Sequence, residues 1–155
     1  MHVQSWHATY PGILPATEIA RRTLQRRSGV WTRALQATDG GGTVFVAAHC
    51  AALLGFANTG AFRVGPASGE GQGDGELNSL YLLPAAQKRG VGRRLFDAGV
   101  HGLREAGFRA MRCWVLDGNP AIGFYERLRG ERVASKTFTV DGRALVEHCY
   151  RFDLR

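Results

Sequence analysis

Glu76-Leu77-Asn78-Ser79-Leu80-Tyr81-Leu82-Leu83-Pro84-Ala85-Ala86-Gln87-Lys88-Arg89-Gly90-Val91-Gly92-Arg93-Arg94-Leu95 is the stretch on which the reading of this chain turns. Its first eight residues are strand formers halted by Pro84, which has no N–H to give a ladder. Beyond the loop, Val91, Leu95, Ala98, Gly99, Gly102, Leu103 and Ala106 recur at three- and four-residue steps, the period of a helix with one buried face. Gly90 and Gly92 lie between the two elements, where backbone can approach a ligand closely. A helix start offers unpaired N–H groups and the positive end of a dipole. Lys88, Arg89, Arg93 and Arg94 add formal charge there. Strand, basic glycine loop and helix together predict an anion site, with phosphate as the fitting ligand.

The totals bound what surrounds that site. At 155 residues the chain is expected to form one domain, 1–155, large enough to bury a core. Hydrophobic content of 45% is ordinary for a globular protein and argues against disorder. No apolar run approaches the roughly 20 residues that span a bilayer. Residues 1–6 lack the basic head and apolar middle of a signal peptide, so a cytoplasmic location without membrane contact is expected. Cys50, Cys113 and Cys149 show neither metal-ligand spacing nor a CxxC pair, and the five histidines are scattered, so no metal is expected. The net charge of +7 suits either nucleic acid or a small anion. The arginines are spread along the chain without a basic, aromatic-interleaved motif, which disfavours nucleic acid.

Outward from the central stretch, residues 1–9 read as a helix with Val3, Trp6 and Tyr10 on its apolar face. Pro11-Gly12 signals a turn. Thr17 is placed as the cap of a second helix through Leu24, and a third helical piece covers 30–35. Asp39-Gly40-Gly41-Gly42 reads as a turn. Residues 43–48 and 53–57 form a hairpin around 49–52. The glycine-rich stretch 65–75 reads as a loop. Gly107 closes the long helix and residues 109–116 form the next strand, parallel to the central one because a helix joins them. Asn119-Pro120 is a helix start, a good cap followed by a favoured first residue. Residues 131–140 and 144–154 form a hairpin on Asp141-Gly142.

Gln87-x-x-Gly90-x-Gly92 resembles the acetyl-coenzyme A signature of the GNAT family of N-acetyltransferases. Asn119-Pro120-Ala121-Ile122-Gly123-Phe124-Tyr125-Glu126 resembles the second motif of that family, N-x-x-A-x-x-F-Y-E. The resemblance implies an α/β fold. Its sheet is mixed and mostly antiparallel, flanked by helices, with a central parallel strand pair splayed to hold acetyl-CoA. The family usually opens with a strand before the first helix. This sequence starts inside the helix, so that strand is absent, lost to a misplaced start, or supplied by another chain. An edge left uncovered invites a homodimer.

The resemblance also implies roles. Residues Gln87, Lys88, Arg89, Gly90, Val91, Gly92 and Arg93 would wrap the pyrophosphate. Backbone of Tyr81, Leu82 and Leu83 would hold the pantetheine as an added strand, with the Leu82 N–H as oxyanion donor. Tyr125 would be the general acid for the leaving thiolate and Glu76 the candidate base. Asn119 would bond the pantetheine arm or its own helix start. Trp6, Tyr10, Ile13 and Trp31 are candidates for one wall of the acceptor pocket, with core packing the preferred reading. The expected activity is direct transfer of acetyl from acetyl-CoA to an amine of a small molecule or peptide. The alternative is a non-catalytic acyl-CoA-binding regulatory domain.

Overall fold

The computed structural model describes residues 1–36, 42–63 and 73–155. Most of the anticipated 39–42 turn and most of the glycine-rich 65–75 stretch lie outside the described residues. The elements in chain order are α1 (His2–Thr9), α2 (Ala16–Ala20), α3 (Leu24–Gln36), β1 (Thr43–His49), β2 (Ala52–Ala61), β3 (Gly75–Leu82), α4 (Val91–Glu105), β4 (Ala110–Leu116), α5 (Ala121–Arg127), β5 (Glu131–Val140) and β6 (Arg143–Asp153). One 3₁₀ turn, Pro84–Ala86, ends the central strand where proline was expected to stop it. The six strands form one sheet in the order β1-β2-β3-β4-β6-β5. All neighbours are antiparallel except β3 and β4, which run parallel with α4 as the connection. Among the described residues the first element is α1. The edge strand β1 leaves Val46 60% exposed.

Local chemistry explains most boundaries. The β1–β2 turn places Cys50 and Ala51 at φ +46° and +64°, and the β5–β6 turn places Asp141 and Gly142 at +47° and +78°. Two successive left-handed residues match the right-handed twist of the flanking strands. Gly107 follows α4 at φ +88°, the conformation of a helix-ending glycine. Thr17 is a correction. It lies inside α2, which starts after Pro15, and its hydroxyl donates to Asp141 instead of capping the helix. That helix stops at Ala20, and Leu24 opens α3, which is longer than anticipated.

Two apolar layers sandwich the sheet. One holds Leu77, Leu95, Phe96, Leu103, Met111, Cys113, Val115, Tyr125 and Phe152, between the sheet and helices α4 and α5. Each large side chain there contributes about 1.5–3 kcal/mol by leaving water. The other holds Trp6, Tyr10, Leu14, Leu116 and Leu145, between the sheet and α1.

The central strand is irregular in a way that matters for the site. Asn58 pairs with Ser79 and Thr59 with Leu77, so Asn78 faces no partner on β2. This is a β-bulge, which bends the strand that carries it. Leu77 packs in the α4 layer before the bulge, and Leu80 and Leu82 pack there after it, while Tyr81 joins the α1 layer. The ladder between β3 and β4 records two pairs, Gly75 with Met111 and Glu76 with Arg112. Beyond them the parallel strands separate.

Candidate active site

A cleft of about 600 Å³ occupies the gap where β3 and β4 part. Leu80, Leu82, Val115, Phe124 and Tyr125 line it from the α4 side, and Tyr10 and Tyr81 from the α1 side. Trp114 lines it too, alternating with Val115 and so facing α1. The cleft therefore passes from one face of the sheet to the other.

The backbone of β3 supplies its edge. The Leu83 N–H donates to the Leu54 carbonyl of β2 at 2.8 Å. In an antiparallel ladder hydrogen-bonded positions alternate, so Tyr81 also turns its backbone toward β2. Leu80 and Leu82 turn theirs toward the gap. Of the three residues anticipated to hold an extended ligand arm, Leu82 alone presents backbone to the cleft, and Leu80 joins it. The Leu82 carbonyl accepts from the Ser5 hydroxyl at 3.1 Å, and Ser5 is 1% exposed. Its N–H is left facing the cleft.

At the end of β3 the chain rises into the start of α4. Lys88 and Gly90 adopt left-handed backbone at φ +56° and +78°. Among the described residues no side chain caps α4, so its first N–H groups keep their capacity to bind an anion. Gln87, Lys88, Gly90, Gly92 and Arg93 line the cleft. Arg89, Val91 and Leu83 do not, and Val91 packs against the core instead. Arg93 holds Asp97 through Nε at 2.8 Å, one turn along the helix. A Cβ on Gly92 would come within 3.3 Å of Leu82 Cδ1, so the helix start lies against the central strand.

Ahead of α5, which begins at Ala121 with Pro120 and not the expected Asn119 at its cap, Asn119 Oδ1 accepts from the Ala121 N–H at 2.9 Å, and Asn119 also lines the cleft. Tyr125 is 7% exposed. Its hydroxyl has no hydrogen-bond partner among the described residues. Burial, and then the neighbouring Cys113, push its pKa well above the ordinary phenol value. The ring is held by Phe124, Tyr150 and Phe152 at centroid distances of 5.5, 6.3 and 6.1 Å.

Glu76 sits elsewhere. It is 5% exposed at the paired end of β3 and does not line the cleft. Its Oε2 accepts from the Arg63 backbone N–H at 3.1 Å and from Nε at 3.2 Å, while Oε1 accepts from an Arg63 terminal nitrogen at 3.0 Å. These bonds tie the start of β3 to the chain that leaves β2. The same end is tied by Arg112 donating to Asp74 at 2.7 Å.

The aromatic residues of α1 and α3 divide. Tyr10 lines the cleft, with its hydroxyl 3.2 Å from that of Tyr81. Trp6 packs behind it, ring centroids 4.2 Å apart. His2 stacks on Tyr81 at 4.8 Å and accepts from the Trp31 indole N–H at 3.1 Å. Burial, the Arg22 charge and the N-terminal ammonium lower the His2 pKa to about 4. Sequence reasoning missed Ser5, Leu80, Trp114 and Arg127 as site residues. Ser5 and Trp114 sit in no motif, and only the pairing of distant elements brings Trp114 to the cleft and Ser5 to the Leu82 carbonyl.

A splayed parallel strand pair beside a glycine-loop helix start defines the class. The chain belongs to the Acetyltransferase (GNAT) family, which it matches over residues 6–130. It is 36% identical over 150 residues to an uncharacterized N-acetyltransferase of Bacillus subtilis, YuaI, covering 95% of this chain and 80% of that one. It is 35% identical over 113 residues to the mycothiol acetyltransferase of Rhodococcus jostii, covering 72% of this chain and 35% of that relative. Among solved structures, the PaiA N-acetyltransferase of Thermoplasma acidophilum in complex with coenzyme A superposes with a TM-score of 0.66. The match has 18% identity and covers 94% of this chain and 86% of the other.

Proposed function

We propose that this chain transfers an acetyl group from acetyl-CoA directly to a primary amine. The observation that carries the reading is the Leu82 N–H, turned into a gap that opens after two parallel pairs. A thioester carrier fits this arrangement. Its extended amide-bearing arm pairs with the β3 edge at Leu80 and Leu82, in the manner of an added strand. Its diphosphate meets the uncapped start of α4, with Gln87, Lys88 and Gly90 around it, Arg93 at the rim, and Arg89 adding field from outside the lining.

The chemistry follows from the placement. The amine nitrogen attacks the thioester carbonyl, an N–C bond forms, and the carbonyl electrons move to oxygen. The Leu82 N–H stabilises that oxyanion, a role commonly worth 2.7–4 kcal/mol for a single donor. The C–S bond then breaks and its electron pair leaves on sulfur. Tyr125 donates its proton to that sulfur and regains one from the attacking nitrogen through solvent. Its raised pKa keeps the proton on the phenol until negative charge develops beside it. Asn119 holds the start of α5, and with it Tyr125, in place. Glu76 is assigned no proton-transfer step.

Calorimetry with acetyl-CoA and thiol release across an amine panel test the reading. Binding with turnover supports it. Binding without turnover on any amine supports a regulatory acyl-CoA-binding domain instead, and no binding overturns both.

A further inference from the structure

We infer that the acceptor is an amine that reaches the cleft uncharged, with a pKa near that of an α-amino group or lower, and that polycations are turned away. The inference rests on the acetyl-transfer reading and names the acceptor class.

The α1 side of the cleft carries phenols and an indole. Tyr10 and Tyr81 meet hydroxyl to hydroxyl at 3.2 Å, and Trp114 lies across from them on β4. Among the described residues that line the cleft there is no carboxylate and no imidazole. Burial comes first in raising the pKa of both phenols, so they remain neutral. They can hydrogen-bond an amine, but they offer it no negative charge.

The charges around this wall are mostly positive. Arg22 stands 4.3 Å from the Trp6 ring, with Arg27 at 6.0 Å, and the Arg22 field reaches His2, Tyr10 and Tyr81. Lys136 of β5 places its ammonium 4.1 Å from the Trp114 ring. Two carboxylates pair with these cations, and one of them, Glu147, also places negative field on Tyr10. Glu18 holds Arg22 at 3.1 Å, and Glu147 of β6 holds Lys136 at 3.1 Å. His2 is kept neutral beside Tyr81, and Tyr125 faces the cleft from α5 as a neutral phenol. Lys88 and Arg93 add positive charge from the helix start.

An ammonium entering here would lose water beside the lining cations Lys88, Arg93 and Arg127, and no lining group of the described residues would take its proton. A neutral amine meets none of these costs. With a neutral amine the reaction also balances without proton release, since the nitrogen loses one proton and the sulfur gains one. At pH 7 the neutral fraction of an α-amine, pKa about 7.7–8.0, exceeds that of a lysine ε-amine, pKa about 10.4, by more than a hundredfold.

The test uses the purified chain, acetyl-CoA and three acceptors. One is a short peptide with a free N-terminus and no lysine, the second the same peptide N-acetylated with one lysine, and the third spermidine. Thiol release is followed from pH 6 to 10. At pH 7 the free N-terminus should exceed the lysine peptide in kcat/KM by about a hundredfold, following the neutral fractions. Each profile should rise with unit slope up to the acceptor's own pKa. Lys136→Met should narrow the discrimination against spermidine several-fold and leave the KM for acetyl-CoA unchanged. Equal or faster acetylation of spermidine at pH 7 overturns the inference and leaves acetyl transfer standing. So does a plateau below pH 7 common to all acceptors, the mark of an enzyme base. An unchanged discrimination in Lys136→Met removes its electrostatic basis. Acetyl-CoA binding with no thiol release from any amine overturns the acetyl-transfer reading itself.

Discussion

The two mouths of the cleft are built from different materials. On the α4 side the ligand meets backbone: the Leu82 N–H, the left-handed Lys88 and Gly90, and the uncapped helix start. On the α1 side it meets side chains: Tyr10, Tyr81 and Trp114, with His2, Trp6 and Trp31 packed behind. Backbone recognition constrains conformation, and conformation leaves marks in sequence. Recognition by side chains from distant elements leaves few. The contrast suggests that the α4 mouth fixes the shared carrier, while the α1 mouth sets which acceptor is taken.

That division can be broken by variants that separate the two sides. The largest effect is expected from Tyr125→Phe, at the bottom of the cleft. Loss of a positioned acid should lower kcat by about 10²–10⁴-fold, with acetyl-CoA affinity by calorimetry nearly unchanged. A comparable loss of affinity would mean that Tyr125 serves binding and not proton transfer.

Gly90→Ala should act on the α4 side alone. A side chain at φ +78° costs about 1–2 kcal/mol, read as a lower Tm and weaker acetyl-CoA binding, with the acceptor KM unmoved. Tyr10→Phe should do the reverse. Losing one hydroxyl of the pair is worth about 0.5–1.5 kcal/mol, read as a several-fold rise in acceptor KM at constant acetyl-CoA affinity. If either variant moves both parameters alike, the two mouths do not act separately.

The smallest effect is a pH dependence of stability. Folded His2 takes its proton only below about 4, against an ordinary 6.5 when unfolded. Between those values the unfolded chain binds more protons, so stability should fall as pH drops from about 6.5 toward 4. Urea midpoints at pH 7 and pH 5 should differ less in His2→Phe than in the parent chain. An equal difference would assign the pH dependence to other groups.

The same contrast explains what could be read beforehand. Pro84 ending a strand, Gly90 opening the long helix, and Asn119 bonding at the start of the next one are local demands, and sequence displayed each of them. Glu76 stood at the right place in the chain, yet its partner Arg63 decides its task. Thr17 had the chemistry of a cap, but the Asp141 carboxylate, 124 residues away, takes its hydroxyl. Ser5 gave no sign that it would reach the Leu82 carbonyl. The bulge at Asn78 has no signature either, and it decides which side chains of β3 share a face.

That unmatched residue has a consequence for how activity is stored. With Asn78 deleted, Ser79, Leu80, Tyr81 and Leu82 would keep their present partners on β2. The strand would lose its bend and could zip against β4 over its whole length. Each bond so gained is worth about 0.5–1.5 kcal/mol, so the shortened protein should melt later and hold no carrier. What makes this sheet useful is a seam left unsewn, maintained by a single surplus amino acid.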